Sequence, residues 1–184
     1  MEIILWVTVA IAVIIVLYLA IAYNSLVKKN NQVKEAYSTM DVYLKKRWDL
    51  IPNLVNTVKG YASHEKEALE RIVTLRNHSY DNMSLNDKMV ASSQLSSGIA
   101  RLFAIAENYP ELKADSSFLN LSSELSKIET EIANSRKYYN AVVREYNNYI
   151  EMFPSNLVAA IFNYDKKEMF EIDDEARNNV KVEF

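Results

Sequence analysis

Residues 3–22 form an almost unbroken apolar run in which Thr8 is the one clearly polar side chain. That run constrains everything after it. At ~1.5 Å per residue, a helix of this length matches a hydrocarbon core of ~30 Å. Trp6 and Tyr18 lie toward its two ends, where aromatic rings suit a membrane–water interface. Two other readings compete. Ala20-Ile21-Ala22 has the small-residue pattern of a signal cleavage site, and a buried core helix has a similar composition. The anchor is preferred because Glu2 precedes the run without any Lys or Arg, and the run is longer than a signal core. Lys28, Lys29 and Lys34 follow closely, with Lys45, Lys46 and Arg47 further on. The positive-inside rule then predicts a single-pass cell-membrane protein, with residues 1–2 outside and the long domain cytoplasmic. A domain translocated regardless of nearby charge is the competing case.

The remainder must fold with few chain breakers. The 184 residues hold 2 Gly, 3 Pro and no Cys. This argues against a sandwich turned on Gly and Pro and against a glycine-rich phosphate loop. It also excludes disulfides, thiolate metal sites and thiol nucleophiles. A net charge of −3 gives no reason to expect nucleic acid as a partner.

Periodicity predicts helices. Leu26, Val33, Tyr37, Met40, Leu44, Trp48, Ile51, Val55 and Val58 recur at steps suited to one helical stripe. Pro52 either kinks this helix or follows a new start capped by Asp49, and Gly60 marks its end. A shorter helix is expected over about 64–78, then a polar loop to Ser84. Another is expected over 84–108, ending before Pro110. Its small residues Ser92, Ser93, Ser96, Ser97 and Gly98 would admit a close neighbour. The last long segment carries Phe118, Leu121, Leu125, Ile128, Ile132, Ser135, Tyr139, Val142, Tyr146, Tyr149 and Phe153 as a heptad seam. Asp115 or Ser116 would cap it, and Pro154 stops it. The expected fold is all-α: one N-terminal transmembrane helix (3–22), a long antiparallel up-and-down helical bundle (23–153), and a C-terminal tail (154–184). A coiled-coil oligomer, self-associating through the seam, is the competing arrangement. A strand is conceivable only over 180–184.

Several blocks carry a family resemblance: Arg47-Trp48-Asp49-Leu50-Ile51-Pro52-Asn53-Leu54, Val58-Lys59-Gly60-Tyr61-Ala62, Glu107-Asn108-Tyr109-Pro110-Glu111-Leu112, Arg136-Lys137-Tyr138-Tyr139-Asn140 and Phe153-Pro154-Ser155-Asn156. Over nearly its whole length the chain resembles the LemA family. The resemblance implies an outside N-terminus, one span and a cytoplasmic helical bundle. It also implies company with membrane proteins, membrane proteases among them, and no established enzymatic activity. A magnetosome-membrane relative points toward a membrane-organising role. The tail departs from the family pattern at Asn178-Asn179-Val180, where a proline is expected. No catalytic residues come with the family.

The residues themselves assemble no catalytic constellation, metal site or cofactor site. His64 and His78 are ~21 Å apart on one continuous helix, too far to share a metal. Position 61 is Tyr and position 75 is Leu, so neither histidine belongs to a Glu-x-x-His pair. Glu65, Glu67 and Glu70 read as a solvated first turn. Lys45-Lys46-Arg47 reads equally as a lipid-binding cluster or as solvated charge. Arg47, Arg76, Glu107, Arg136, Asn140 and Asn147 form a candidate buried polar network, which would fix helix register or line a pocket. Phe170, Glu171, Arg177, Val182 and Phe184 form a candidate partner-binding tail, which would dock back on the bundle or be read in extended form. Two functions remain: a non-enzymatic scaffold for a membrane-protein complex, and a small-molecule or lipid-binding sensory module with a polar cavity near Arg76, Glu107 and Arg136.

Overall fold

The computed structural model describes residues 1–76 and 80–170. Among them are six α-helices and no strand: α1 (Glu2–Tyr61), α2 (Lys66–Arg76), α3 (Leu85–Ala106), α4 (Pro110–Ala114), α5 (Ser116–Glu151) and α6 (Ser155–Ile161). The all-α expectation holds. The chain divides into two compact units, residues 1–38 with 136–184, and residues 39–135; α1 and α5 run through both.

α1 is a single helix of 60 residues, and Pro52 lies inside it. Asp49 therefore caps nothing. Its carboxylate instead pairs with Lys45 one turn earlier, at 3.0 Å. Gly60 does not end the helix in a left-handed conformation: no glycine has a positive φ, and α1 continues to Tyr61. The first third of α1 is long and apolar enough to cross a membrane, and its side chains are exposed.

In the first unit, α1 and α5 run antiparallel. Lys29 meets Glu145 at 3.6 Å, and the Tyr37 ring lies edge-on to Tyr139. Leu26, Val33 and Ala36 of α1 and Val143 and Tyr146 of α5 are buried in this unit. α6 turns back toward α1, and the Phe162 ring lies 4.6 Å from Tyr23. α6 ends in a Schellman turn, in which the Tyr164 N–H donates to Ala159 O at 3.0 Å. Asn163 supplies the left-handed residue, with φ 55°. The chain then runs extended as a strap, residues 164–170.

In the second unit, the α2 and α3 faces pack together. A Cβ on Gly98 would stand 2.9 Å from Ile72 Cγ1, so the small-residue stretch does admit a close neighbour. α3 opens on a capping box: Ser84 Oγ accepts from the Asp87 N–H, and Asp87 Oδ2 accepts from the Ser84 N–H. Asp115 caps α5 by accepting the Phe118 N–H at 2.9 Å. It also accepts from the Tyr61 hydroxyl at 3.0 Å. These bonds hold the Asp115 carboxyl below its usual range. Pro110 does not merely stop α3. It begins α4, where its missing N–H costs nothing.

The seam on α5 differs from a strict heptad. Phe118, Leu125, Ile128, Ile132, Ser135, Tyr139 and Tyr146 are buried as expected, but Leu121 is only partly covered, and Val143 and Ile150 are buried in place of Val142 and Tyr149. Val142 and Tyr149 are only partly covered, and Phe153 is exposed. An unsupercoiled helix drifts ~20° per heptad, which moves the inward stripe by one residue.

Candidate partner-binding site

The feature that stands apart from helix packing is the strap on α5. Two asparagines grip its main chain. Asn140 Nδ2 donates to Phe170 O at 2.8 Å, and Asn140 Oδ1 accepts from the Phe170 N–H at 2.7 Å. Asn147 repeats this on Lys167, with both bonds at 2.9 Å. Two tyrosines add single bonds: the Tyr139 hydroxyl donates to Glu168 O at 3.1 Å, and the Tyr146 hydroxyl to Asp165 O at 2.9 Å.

The spacing has a simple origin. Seven residues of α-helix advance ~10.5 Å, and three residues of extended chain advance ~10 Å. Asn140 and Asn147 are seven apart, and their partners Phe170 and Lys167 are three apart. Tyr139 and Tyr146 meet Glu168 and Asp165 in the same ratio. The strap therefore runs antiparallel to α5, in a register that the helix repeat sets.

One side chain is taken inward. Phe170 is 4% exposed, its ring lies edge-on to Tyr139 at 5.2 Å, and the Arg136 guanidinium carbon lies 5.7 Å from its centroid. Residues 165–169 keep their side chains exposed. The clamp thus reads backbone and one aromatic, and leaves the other side chains outward. Burial raises the Tyr139 and Tyr146 hydroxyls above the ordinary tyrosine range, so both remain protonated donors.

The expected polar network is not one cluster. Arg47 is 1% exposed and belongs to a site of its own in the second unit. It donates to Glu129 Oε2 at 2.6 Å, to Ser96 Oγ and Ser92 O at 2.9 Å, and to Ser92 Oγ. Glu107 is exposed and pairs with Lys113, so it lines no interior. Arg136 packs on Phe170, and its Nε has no hydrogen-bond partner among the described residues. Asn140 and Asn147 bind the strap rather than a neighbouring helix. The Arg76 side chain, and Glu171, Arg177, Val182 and Phe184 of the tail, lie outside the described residues. Of the basic triplet, Lys45 meets Asp49, Lys46 meets Glu124, and Arg47 points inward.

Sequence reasoning missed a second charged group. Lys88 is 8% exposed, meets Asp41 at 2.8 Å and sits 4.5 Å over the Tyr80 ring. Tyr80 donates to Asp41 and packs on Trp48. Its place in a polar segment hid it. An open cleft of about 730 Å³ lies between α2 and α3, lined by Glu67, Glu70, Arg71, Thr74 and Arg101 among others.

Comparison with known proteins gives a consistent picture. A family model described as the LemA family matches residues 36–184. The chain is 29% identical over 165 residues to a protein LemA of Metamycoplasma hominis, covering 84% of this chain and 75% of that one. It is 22% identical over 179 residues to magnetosome protein MamQ 2 of Paramagnetospirillum magneticum, covering 83% and 66%. It is 24% identical over 178 residues to magnetosome protein MamQ of Magnetospirillum gryphiswaldense, covering 83% and 65%. The chain thus spans just under two thirds of the length of these magnetosome relatives.

Proposed function

The chain belongs to the LemA family, and from that premise we propose that it is a single-pass scaffold of the cell membrane and not an enzyme. In this reading residues 3–22 cross the bilayer with the N-terminus outside. The helical part is cytoplasmic, and the strap with the tail beyond it engages another membrane protein. A membrane protease is one partner class that fits the family. The length of the apolar run and the lysines that follow it support the span and its direction. The magnetosome relatives are in keeping with a membrane location.

One observation carries the scaffold reading. The clamp holds the main chain of 165–170 and leaves the side chains of 165–169 outward. A segment fixed in that way presents a defined row of side chains at little further entropic cost to whatever binds it. The sensory alternative has less support, since Glu107 lies outside and Arg136 stacks on Phe170.

The test is cross-linking in intact cells, purification through the helical part and mass spectrometry, beside a variant truncated after Tyr164. A dominant membrane protein that disappears with the truncation supports the reading. Recovery of the chain alone, or a partner undiminished by truncation, overturns the role of the strap. An impermeant maleimide tests direction: Tyr138→Cys, at an exposed α5 position, should react only in opened cells.

A further inference from the structure

Large apolar side chains are exposed in two concentrated stretches of the described residues. One is the apolar run itself. The other is the corner around α6, where Met152, Phe153, Leu157, Ile161 and Phe162 are 48–79% exposed. Elsewhere, exposed residues such as Val42, Val73, Val90 and Leu119 are spread along the chain, as on any protein surface.

α6 is turned the wrong way for water. It buries Ser155, Val158 and Ala159 and holds the larger Leu157 and Ile161 outward, four residues apart on one face. Phe153 and Met152 extend that face from the preceding turn. A helix that holds Leu157 and Ile161 outward beside Met152, Phe153 and Phe162 presents an apolar patch of the kind that marks an interaction site.

The place of the corner says which medium it meets. Tyr149 Oη lies 3.5 Å from Ala22 O, and the Tyr23 and Phe162 rings touch. Ala22 and Tyr23 are where the apolar run of α1 ends. The corner therefore sits at the level where α1 leaves the hydrocarbon. Lysines follow on both segments, Lys28 and Lys29 on α1 and Lys166 and Lys167 on the strap, with Lys29 paired to Glu145 and Lys166 to Glu151; Lys28 and Lys167 suit a headgroup layer.

We propose that residues 152–162 are a second membrane contact: an interfacial corner whose Met152, Phe153, Leu157, Ile161 and Phe162 sink into the headgroup–acyl boundary of the bilayer that α1 spans. This rests on the reading of residues 3–22 as a span. Two attachments, one across the bilayer and one along its surface, fix the angle at which the first unit leaves the membrane. They also start the strap at the lipid surface, two residues beyond Phe162.

The chain has no cysteine, so single-cysteine variants take one label each. Phe153→Cys, Leu157→Cys, Tyr138→Cys and Val9→Cys are all at exposed positions, where substitutions usually cost little stability. Each full-length variant carries an environment-sensitive fluorophore. Each is reconstituted at high dilution in phosphatidylcholine vesicles with nitroxide lipids at shallow or deep acyl positions. The expected result is a blue shift and strong shallow quenching at positions 153 and 157, deep quenching at 9, and neither effect at 138. Labels at 153 and 157 that behave like 138, while 9 is quenched deep, overturn the corner alone. A blue shift at 153 and 157 that nitroxides do not quench, and that fades on dilution, means a second copy covers the face and also overturns it. An unquenched label at 9 overturns the span and the corner with it.

Discussion

Asn140 exchanges two hydrogen bonds with the backbone of Phe170, at 2.8 and 2.7 Å, so one side-chain amide satisfies both main-chain groups of a residue thirty positions away. Only an amide does this. It offers a donor and an acceptor side by side, as a neighbouring β-strand would. Asn140→Asp keeps the acceptor but sets a carboxylate against Phe170 O, and Asn140→Ala leaves both groups to water. Each variant should cost about 1–3 kcal/mol of strap docking. Asn147→Asp should act at Lys167 in the same way. Hydrogen exchange checks this: the Phe170 amide should lose protection in the first variant and the Lys167 amide in the second.

The two tyrosines give the strap a pH dependence. Their hydroxyls donate to Glu168 O and Asp165 O, and burial raises both above the ordinary tyrosine value. The docked state therefore binds these protons more tightly than the detached or unfolded state. Their contribution is complete below ~10, the ordinary tyrosine value, and is lost as pH rises through the raised values of the docked state. Proteolysis within 165–170 should accelerate over that alkaline range. In Tyr139→Phe with Tyr146→Phe the acceleration should shrink, and the strap should already be looser at neutral pH, by about 0.5–1.5 kcal/mol per bond.

Asp115 gives the opposite limb. Its carboxylate accepts the Phe118 N–H, then the Tyr61 hydroxyl, and is held below the usual carboxylate range. That stabilisation is present above the unfolded value and lost as pH falls through the lower folded one. Asp115→Asn keeps a capping oxygen without the charge. Thermal melting of this variant should show a flatter acid limb than the parent, with the two curves converging at low pH.

How much of this was legible in advance follows from what each signal depends on. Asp115 before α5 is a local signal, and it marks a helix start because capping needs only nearby backbone; the Ser84–Asp87 box at α3 emerges only in the structure. The seam is readable to Tyr139 and again at Tyr146, but Val142 and Tyr149 give way to their neighbours Val143 and Ile150, since a strict heptad template cannot follow a helix of 3.6 residues per turn. α6 was lost in the tail because seven residues give periodicity no room. Asn140 and Asn147, seven apart, share one helix face, but nothing in a face tells whether a helix or a strap lies on it. Glu107 and Arg136 were grouped by their neighbours in sequence motifs, and motif membership carries no distance.

Arg47 should behave as a buried charge whose partner matters more than its presence. Its guanidinium is held by Glu129, Ser92 and Ser96, while Glu129 itself is half exposed. Glu129→Ala removes a carboxylate from a buried cation and should cost about 1–3 kcal/mol. Arg47→Met fills much of the same volume and removes the charge, so it should cost less than Glu129→Ala despite being the more buried site. Urea unfolding of the full chain in detergent measures both. A larger loss for Arg47→Met would mean that the serine bonds, not the ion pair, hold this point.

The two glycines should respond to the same change with opposite sign. Both sit inside helices, where alanine is favoured over glycine by about 0.5–1 kcal/mol. Around Gly60 nothing lies within 4 Å of an added Cβ, so Gly60→Ala should stabilise, toward the lower figure because it falls in the last turn. At Gly98 the new Cβ would meet Ile72 Cγ1 at 2.9 Å and Cδ1 at 3.3 Å. Ile72 is 2% exposed, and a Cβ this close forces its side chain to shift. Overpacking of this kind costs about 1–3 kcal/mol, which outweighs the propensity gain. Gly98→Ala should therefore lower the urea midpoint while Gly60→Ala raises it. Ile72→Ala alone opens a cavity at about 2–5 kcal/mol. Joined to Gly98→Ala it should cost less than the two single losses added together, because each change fills or relieves what the other creates.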